Sequence, residues 1–99
     1  MKRTTVTVAT VLLGLAGSAL ADDSNFGRNL ASACASCHGT NGKSVGGMEV
    51  LAGYPKDKML KAFTDFRSGA KPATVMHQLA KGYKDDQVEA IAAYFAAQK

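Results

Sequence analysis

The chain has 99 residues, 46% of them apolar, with ten glycines, two cysteines, no tryptophan and a formal charge of +4. That is enough for one small globular domain and too little for a multidomain enzyme. Below roughly 70–80 residues burial barely offsets chain entropy, so a fold this small usually relies on a disulfide, a metal or a cofactor as a staple.

Residues 1–21 read as a cleaved secretory signal. "MKR" is a basic start, "VATVLLGLAGSAL" is an apolar run too short to cross a bilayer comfortably, and Ala19-Leu20-Ala21 is a small-x-small cleavage site before Asp22-Asp23. An uncleaved membrane anchor is the alternative. Cleavage leaves 78 of the 99 residues, 22–99, as one domain with no membrane span, and the loss of Lys2 and Arg3 takes the formal charge from +4 to +2. Nucleic-acid binding then loses its main support. Export implies a periplasmic, soluble protein in an oxidising compartment.

The spacing predicts a first helix over 25–35, with Phe26, Leu30 and Ala33 on one side and Gly27 small enough for another helix to approach. It runs into "CASCH", which places both cysteines of the chain, Cys34 and Cys37, beside His38. A disulfide across three helical residues closes a tiny loop and stabilises little. A redox dithiol of the thioredoxin kind needs a βαβ setting, and no stretch reads as a strand. A zinc site wants four ligands where this cluster offers three. The remaining use is covalent attachment of one haem c, with thioethers from Cys34 and Cys37 and the His38 imidazole turned to the iron.

"HGTNGKSVGG" is loop chemistry. Pro55 then suits the first position of a second helix carrying Met59, Leu60, Phe63 and Phe66 to Ser68-Gly69, with Lys56, Lys58, Lys61 and Asp65 on its wet face. "TVMHQLAKGY" suggests a short helical piece ending at Gly82. "KDDQVEAIAAYFAAQK" is the clearest helix, with a stripe of Val88, Ile91, Ala92 and Phe95 and acids in its first turn.

For the other side of the iron the domain offers Met48, Met59, Met76 and His77. Met59 lies in an apolar stripe and reads as core, while Met48 falls close to the proximal side. Met76, 38 residues after His38, sits where a connection can fold over the opposite face; His77 and an open site are the alternatives. Tyr54 and Arg67 are candidates to bind haem propionates.

These residues resemble the class I c-type cytochromes, and within them the cytochrome c4-like domains and the cytochrome subunit of flavocytochrome c sulfide dehydrogenase. "CASCHGTNGKS", "LAGYPKDKMLKAFTDFRSG" and "TVMHQLAKGYKDDQVEAIAAYFA" carry the likeness. It implies an all-α fold of three to four helices wrapped around one haem, Gly27 meeting Tyr94 and Phe95, and His38 and Met76 as axial ligands. It departs from the family in two places. "MEVLAG" stands where relatives often read "IPxLAG", which leaves the acceptor for the His38 Nδ1 proton to a carbonyl between Val45 and Val50. Lys84-Asp85 stands where relatives start the last helix with Ser or Thr, so the cap is expected one residue on, at Asp85.

Two strong protein ligands leave the iron no vacancy for substrate, which implies one-electron transfer and no catalytic residue. The resemblance adds redox partners: a sulfide-oxidising flavoprotein subunit, or a terminal oxidase for a free carrier. Lys43, Lys71 and Lys81 are expected near the haem edge, suited to acidic docking sites. The competing function is a small-ligand sensor or weak peroxidase with a displaceable Met76.

Overall fold

In a computed structural model, residues 24–99 are described; the signal segment at 1–21 lies outside them. The described chain is helical, with no strand among its residues. In order come α1 (Phe26–Ala31), a 3-10 turn (Ser32–Cys34), α2 (Ala35–His38), a second 3-10 turn (Thr40–Gly42), α3 (Lys56–Ser68), α4 (Met76–Lys81) and α5 (Asp85–Ala96).

The first helix is longer than its apolar spacing predicts. Ser32, Cys34 and Ala35 keep right-handed helical dihedrals across the 3-10 turn, so one helical run with a tightened middle continues to His38. The apolar pattern stops at Ala35 because the residues beyond it, Ser36 to His38, carry chemistry rather than core.

α1 lies against α5, and α3 packs on both α4 and α5. Gly27 sets the first contact: a Cβ there would lie 2.6 Å from the carbonyl oxygen of Ala90 and 3.4 Å from Tyr94 Cβ. The closest partner is thus the α5 backbone at Ala90, with Tyr94, one of the two expected aromatics, touching through its Cβ. Val88, Ile91, Ala92 and Phe95 of α5 are buried with Ala31, Met59, Phe63 and Ala80, so the final helix is the spine of the core. Met59, 3% exposed, packs in this core as its place in the stripe predicts.

Pro55 precedes α3 rather than opening it. Its ψ of 133° is extended, and the helix begins at Lys56 and ends at Gly69. The last helix also corrects an expectation: Lys84, not Asp85, holds the cap position, with extended backbone. A lysine side chain has no acceptor to offer. The Gln87 side chain instead accepts the Lys84 backbone N–H at 2.9 Å, while Asp85 and Asp86 occupy the first turn, where their charge complements the helix dipole.

Arg67 joins three elements. From the end of α3 its Nε donates to the Ala80 carbonyl at 2.9 Å, Nη2 to the Tyr83 carbonyl at 2.6 Å and Nη1 to the Asp85 carboxylate at 2.7 Å. The guanidinium fastens α4 to α5, and its planar fork is matched to these three acceptors.

Candidate haem-attachment site

Cys34, Cys37 and His38 fall within five residues of helical chain, which puts two thiols and an imidazole on successive turns. Cys34 is half-buried against the core and Cys37 is exposed; both thiols are free. Burial pushes the Cys34 thiol up from its ordinary value, and the neighbouring Cys37 adds to the rise. A thioether has no proton to lose, so this cost vanishes once the sulfur is alkylated.

His38 is oriented from behind. Its Nδ1 lies 2.7 Å from the backbone carbonyl of Glu49. A carbonyl can only accept, so the proton sits on Nδ1 and the Nε2 lone pair is left for a metal. The acceptor falls inside the Val45–Val50 interval left open by the sequence, and the departure from "IPxLAG" does not remove it, because the bond uses backbone.

The loop that supplies Glu49 is closed by a clip. Gly42 has φ of +76°, and its carbonyl accepts from both Leu51 N (2.9 Å) and Ala52 N (3.2 Å), pinching residues 43–50 into an excursion with adjacent ends. A Cβ on Gly42 would meet Ala52 N at 2.7 Å. Next to it Asn41, with φ of 55°, accepts a hydrogen bond from the Tyr94 hydroxyl, which ties the attachment loop to α5. The sequence signals this contact only through an Asn-Gly, a pair that tolerates left-handed backbone.

Met76 is the first residue of α4, partly buried and packed against the core. His77, beside it, has a buried Nδ1 with no hydrogen-bond partner. Met48 lies exposed in the 43–50 loop. No group of three or more His, Cys, Asp or Glu side chains among the described residues is placed to hold a metal ion by itself.

The donor set fits a haem. Two unpaired thiols at the attachment spacing stand one residue from an imidazole already fixed in the metal-binding tautomer. Val50, beside Glu49, is a half-exposed apolar side chain.

The helical layers and this motif define a small c-type cytochrome, and comparison agrees: the family model for cytochrome c matches residues 16–99. The chain belongs to the cytochrome c family, as a class I c-type cytochrome. It carries one covalently bound haem c with its iron, and proteins of this family transfer electrons. Among its relatives, the cytochrome subunit of sulfide dehydrogenase from Chlorobaculum tepidum is 38% identical over 69 residues, covering 70% of this chain and 63% of that protein. Cytochrome c4 from Pseudomonas aeruginosa is 37% identical over 89 residues, covering 88% of this chain and 44% of that one. Cytochrome c-553 from Helicobacter pylori is 30% identical over 96 residues, 95% of this chain and 97% of the relative. The chain thus spans less than two thirds of the first two and nearly all of the third. No described helix is long and apolar enough to cross a membrane.

Proposed function

We propose that the chain is a periplasmic one-electron carrier, in which residues 22–99 form a monohaem domain after removal of residues 1–21. Cys34 and Cys37 would hold the haem through thioethers, and His38 Nε2 and the Met76 sulfur would ligate its iron. The observation that carries this reading is the Glu49 carbonyl on His38 Nδ1, which fixes tautomer and ring direction together.

When bound, the haem supplies one reversible electron at its iron. The residues do the rest. His38 is held so that the ring need not turn when the charge changes. Met76 offers a thioether, which favours the ferrous state and raises the potential relative to a second imidazole. Together they leave no coordination position for a substrate, so the chain passes electrons and performs no bond chemistry of its own.

Two measurements test this. Extraction into acidified organic solvent should leave the pigment on the protein, and pigment in the solvent would overturn the thioether assignment. The oxidised protein should show the weak near-infrared sulfur-to-iron band, and Met76→Ala should abolish it. Retention of the band would move the sulfur ligand to Met48 or Met59.

One observation favours a second reading, a small-ligand sensor or weak peroxidase. Met76 opens a six-residue helix that follows an exposed loop, so its hold on the iron depends on little local structure. Rapid binding of carbon monoxide to the reduced protein supports that reading; its absence supports the carrier.

The relatives support two kinds of redox partner. Likeness to the cytochrome subunit of a sulfide dehydrogenase supports a place beside a dehydrogenase subunit, for which the family resemblance implies a flavoprotein, and likeness to cytochrome c-553 along nearly its whole length supports a free carrier, for which a terminal oxidase is the proposed acceptor. Co-elution with a flavin-containing subunit through high salt selects the complex, and a lone haem protein selects the carrier.

A further inference from the structure

The last turn of α3, the loop at 69–73 and α4 border an open groove of about 290 Å³ whose polar lining is Arg67, Ser68, Lys71, His77 and Lys81. No carboxylate lines it. Of the nearby acids, Asp85 is paired with Arg67 and Asp65 with Lys61. Lys71 and Lys81 have no ion-pair partner among the described residues.

Lys71 is nonetheless held in place, its Nζ 5.0 Å from the centroid of the Phe66 ring. Arg67 spends three of its five N–H groups on Ala80, Tyr83 and Asp85, which leaves two on a guanidinium that cannot move. The carboxyl end of α3 opposes these charges with about half a negative charge, too little to cancel two free ammonium groups. His77 also lines the groove, and its Nδ1 is buried behind it without a hydrogen-bond partner.

We propose that this groove binds a small oxyanion of the phosphate or sulfate class, held by Lys71 and Lys81 with Arg67 as the fixed third cation, and that its occupancy is coupled to the oxidation state of the haem. The coupling rests on the assignment of Met76 as ligand, since His77 is the next residue; the binding does not. An anion there stabilises the extra positive charge of the ferric state. The ferric protein therefore holds it a few-fold more tightly, and by reciprocity the reduction potential falls as the site fills.

The test is a titration of the holoprotein with inorganic phosphate, with chloride adjusted to constant ionic strength. In the reduced protein, amide and side-chain NMR shifts confined to 67–73 and 77–81 should saturate, and the potential should fall to a plateau over the same range. The Lys71→Gln/Lys81→Gln double variant should bind at least about tenfold more weakly, as expected for losing charge-assisted contacts, and keep its near-infrared band. Shifts that grow linearly, or that chloride reproduces, would show general screening and overturn the site. Equal binding of acetate would mean that any carboxylate suffices, and would overturn an oxyanion site in favour of a partner's acidic side chain. Saturation at constant potential would overturn the coupling. If the near-infrared band is absent from the unmodified protein, the Met76 assignment fails while the phosphate shifts remain.

Discussion

Around His38 the chain spends several contacts on one short stretch. The Glu49 carbonyl fixes the imidazole, the Gly42 carbonyl closes the loop that carries Glu49, and Tyr94 anchors Asn41 from the far end of the sequence. Around Met76 it spends few. That residue opens a helix of six residues, the loop before it is exposed from 68 to 75, and the strongest local fastening, Arg67, grips the other end of α4 at Ala80. One proposed ligand is built in from behind and the other is carried on a lightly held turn. On the proposed ligand set this amounts to a division of labour, in which the proximal side would keep the haem and the distal side would set its potential. Changes at the first should cost the cofactor or the fold, and changes at the second should alter spectra and potentials while the protein survives.

The largest effect should come from the cysteines. Replacing either Cys34 or Cys37 by serine removes one tether, and because folding is coupled to attachment the yield of holoprotein should drop sharply. A double Cys34→Ser/Cys37→Ser variant should yield no covalently bound pigment on a denaturing gel stained for haem. Normal yield would mean that the proximal side is not what retains the cofactor.

Next comes Gly27. A methyl group there lands 2.6 Å from the Ala90 oxygen, backbone that cannot rotate aside, so Gly27→Ala must push α1 off α5. A cost of about 1–3 kcal/mol is expected for such overpacking, which lowers the melting temperature by roughly 4–8 °C for each kcal/mol in a domain of this size. The near-infrared band should remain. An unchanged melting temperature would show that the helix contact is looser than the structure has it.

On the distal side, Met76→His should keep the fold and the haem while lowering the reduction potential, since a second imidazole gives up the thioether's preference for the ferrous state. Voltammetry reads the sign directly. A rise in potential would break the assignment of Met76 and with it the contrast between the two sides.

The same contrast explains what the sequence made legible. The attachment motif could be read because its chemistry needs particular atoms at fixed spacing, and the core of α5 because burial imposes a helical period on Val88, Ile91, Ala92 and Phe95. Contacts that run through backbone carbonyls left no such trace. Glu49 accepts through its main chain, so its side-chain identity says nothing, and the clamp made by Arg67 could not be read because a guanidinium matches a carboxylate as well as it matches two carbonyls. The Lys84 cap misled for a related reason: the capping group is the Gln87 amide three residues on, while the cap residue itself supplies only a backbone N–H.

Arg67 also allows a paired test. Its partner Asp85 is 96% exposed, so solvent screens the ion pair and Asp85→Asn should change stability by less than about 1 kcal/mol. Arg67→Ala also strips the hydrogen bonds from the Ala80 and Tyr83 carbonyls, and Ala80 is fully buried; a loss of about 1–3 kcal/mol is expected on chemical denaturation. Equal losses in the two variants would mean that the ion pair, not the carbonyl clamp, holds α4 to α5.

The smallest effect separates anchoring from packing at the proximal side. Tyr94 does two things: its ring packs edge-on to Phe95 at 5.4 Å between centroids, and its hydroxyl donates to the Asn41 side chain. Tyr94→Phe removes only the second. Because Asn41 is exposed, water can replace the lost donor, and the global cost should be about 0.5–1 kcal/mol, near the lower end for a neutral hydrogen bond. The local consequence should be easier to see. Asn41 sits between His38 and the Gly42 clip with left-handed backbone, so losing its anchor should speed amide exchange at Leu51 and Ala52, whose N–H groups depend on Gly42. Exchange at those two amides that stays as slow as in the unmodified protein would mean that the clip holds the His38 loop without help from α5, and the proximal side would then owe its rigidity to local turns alone.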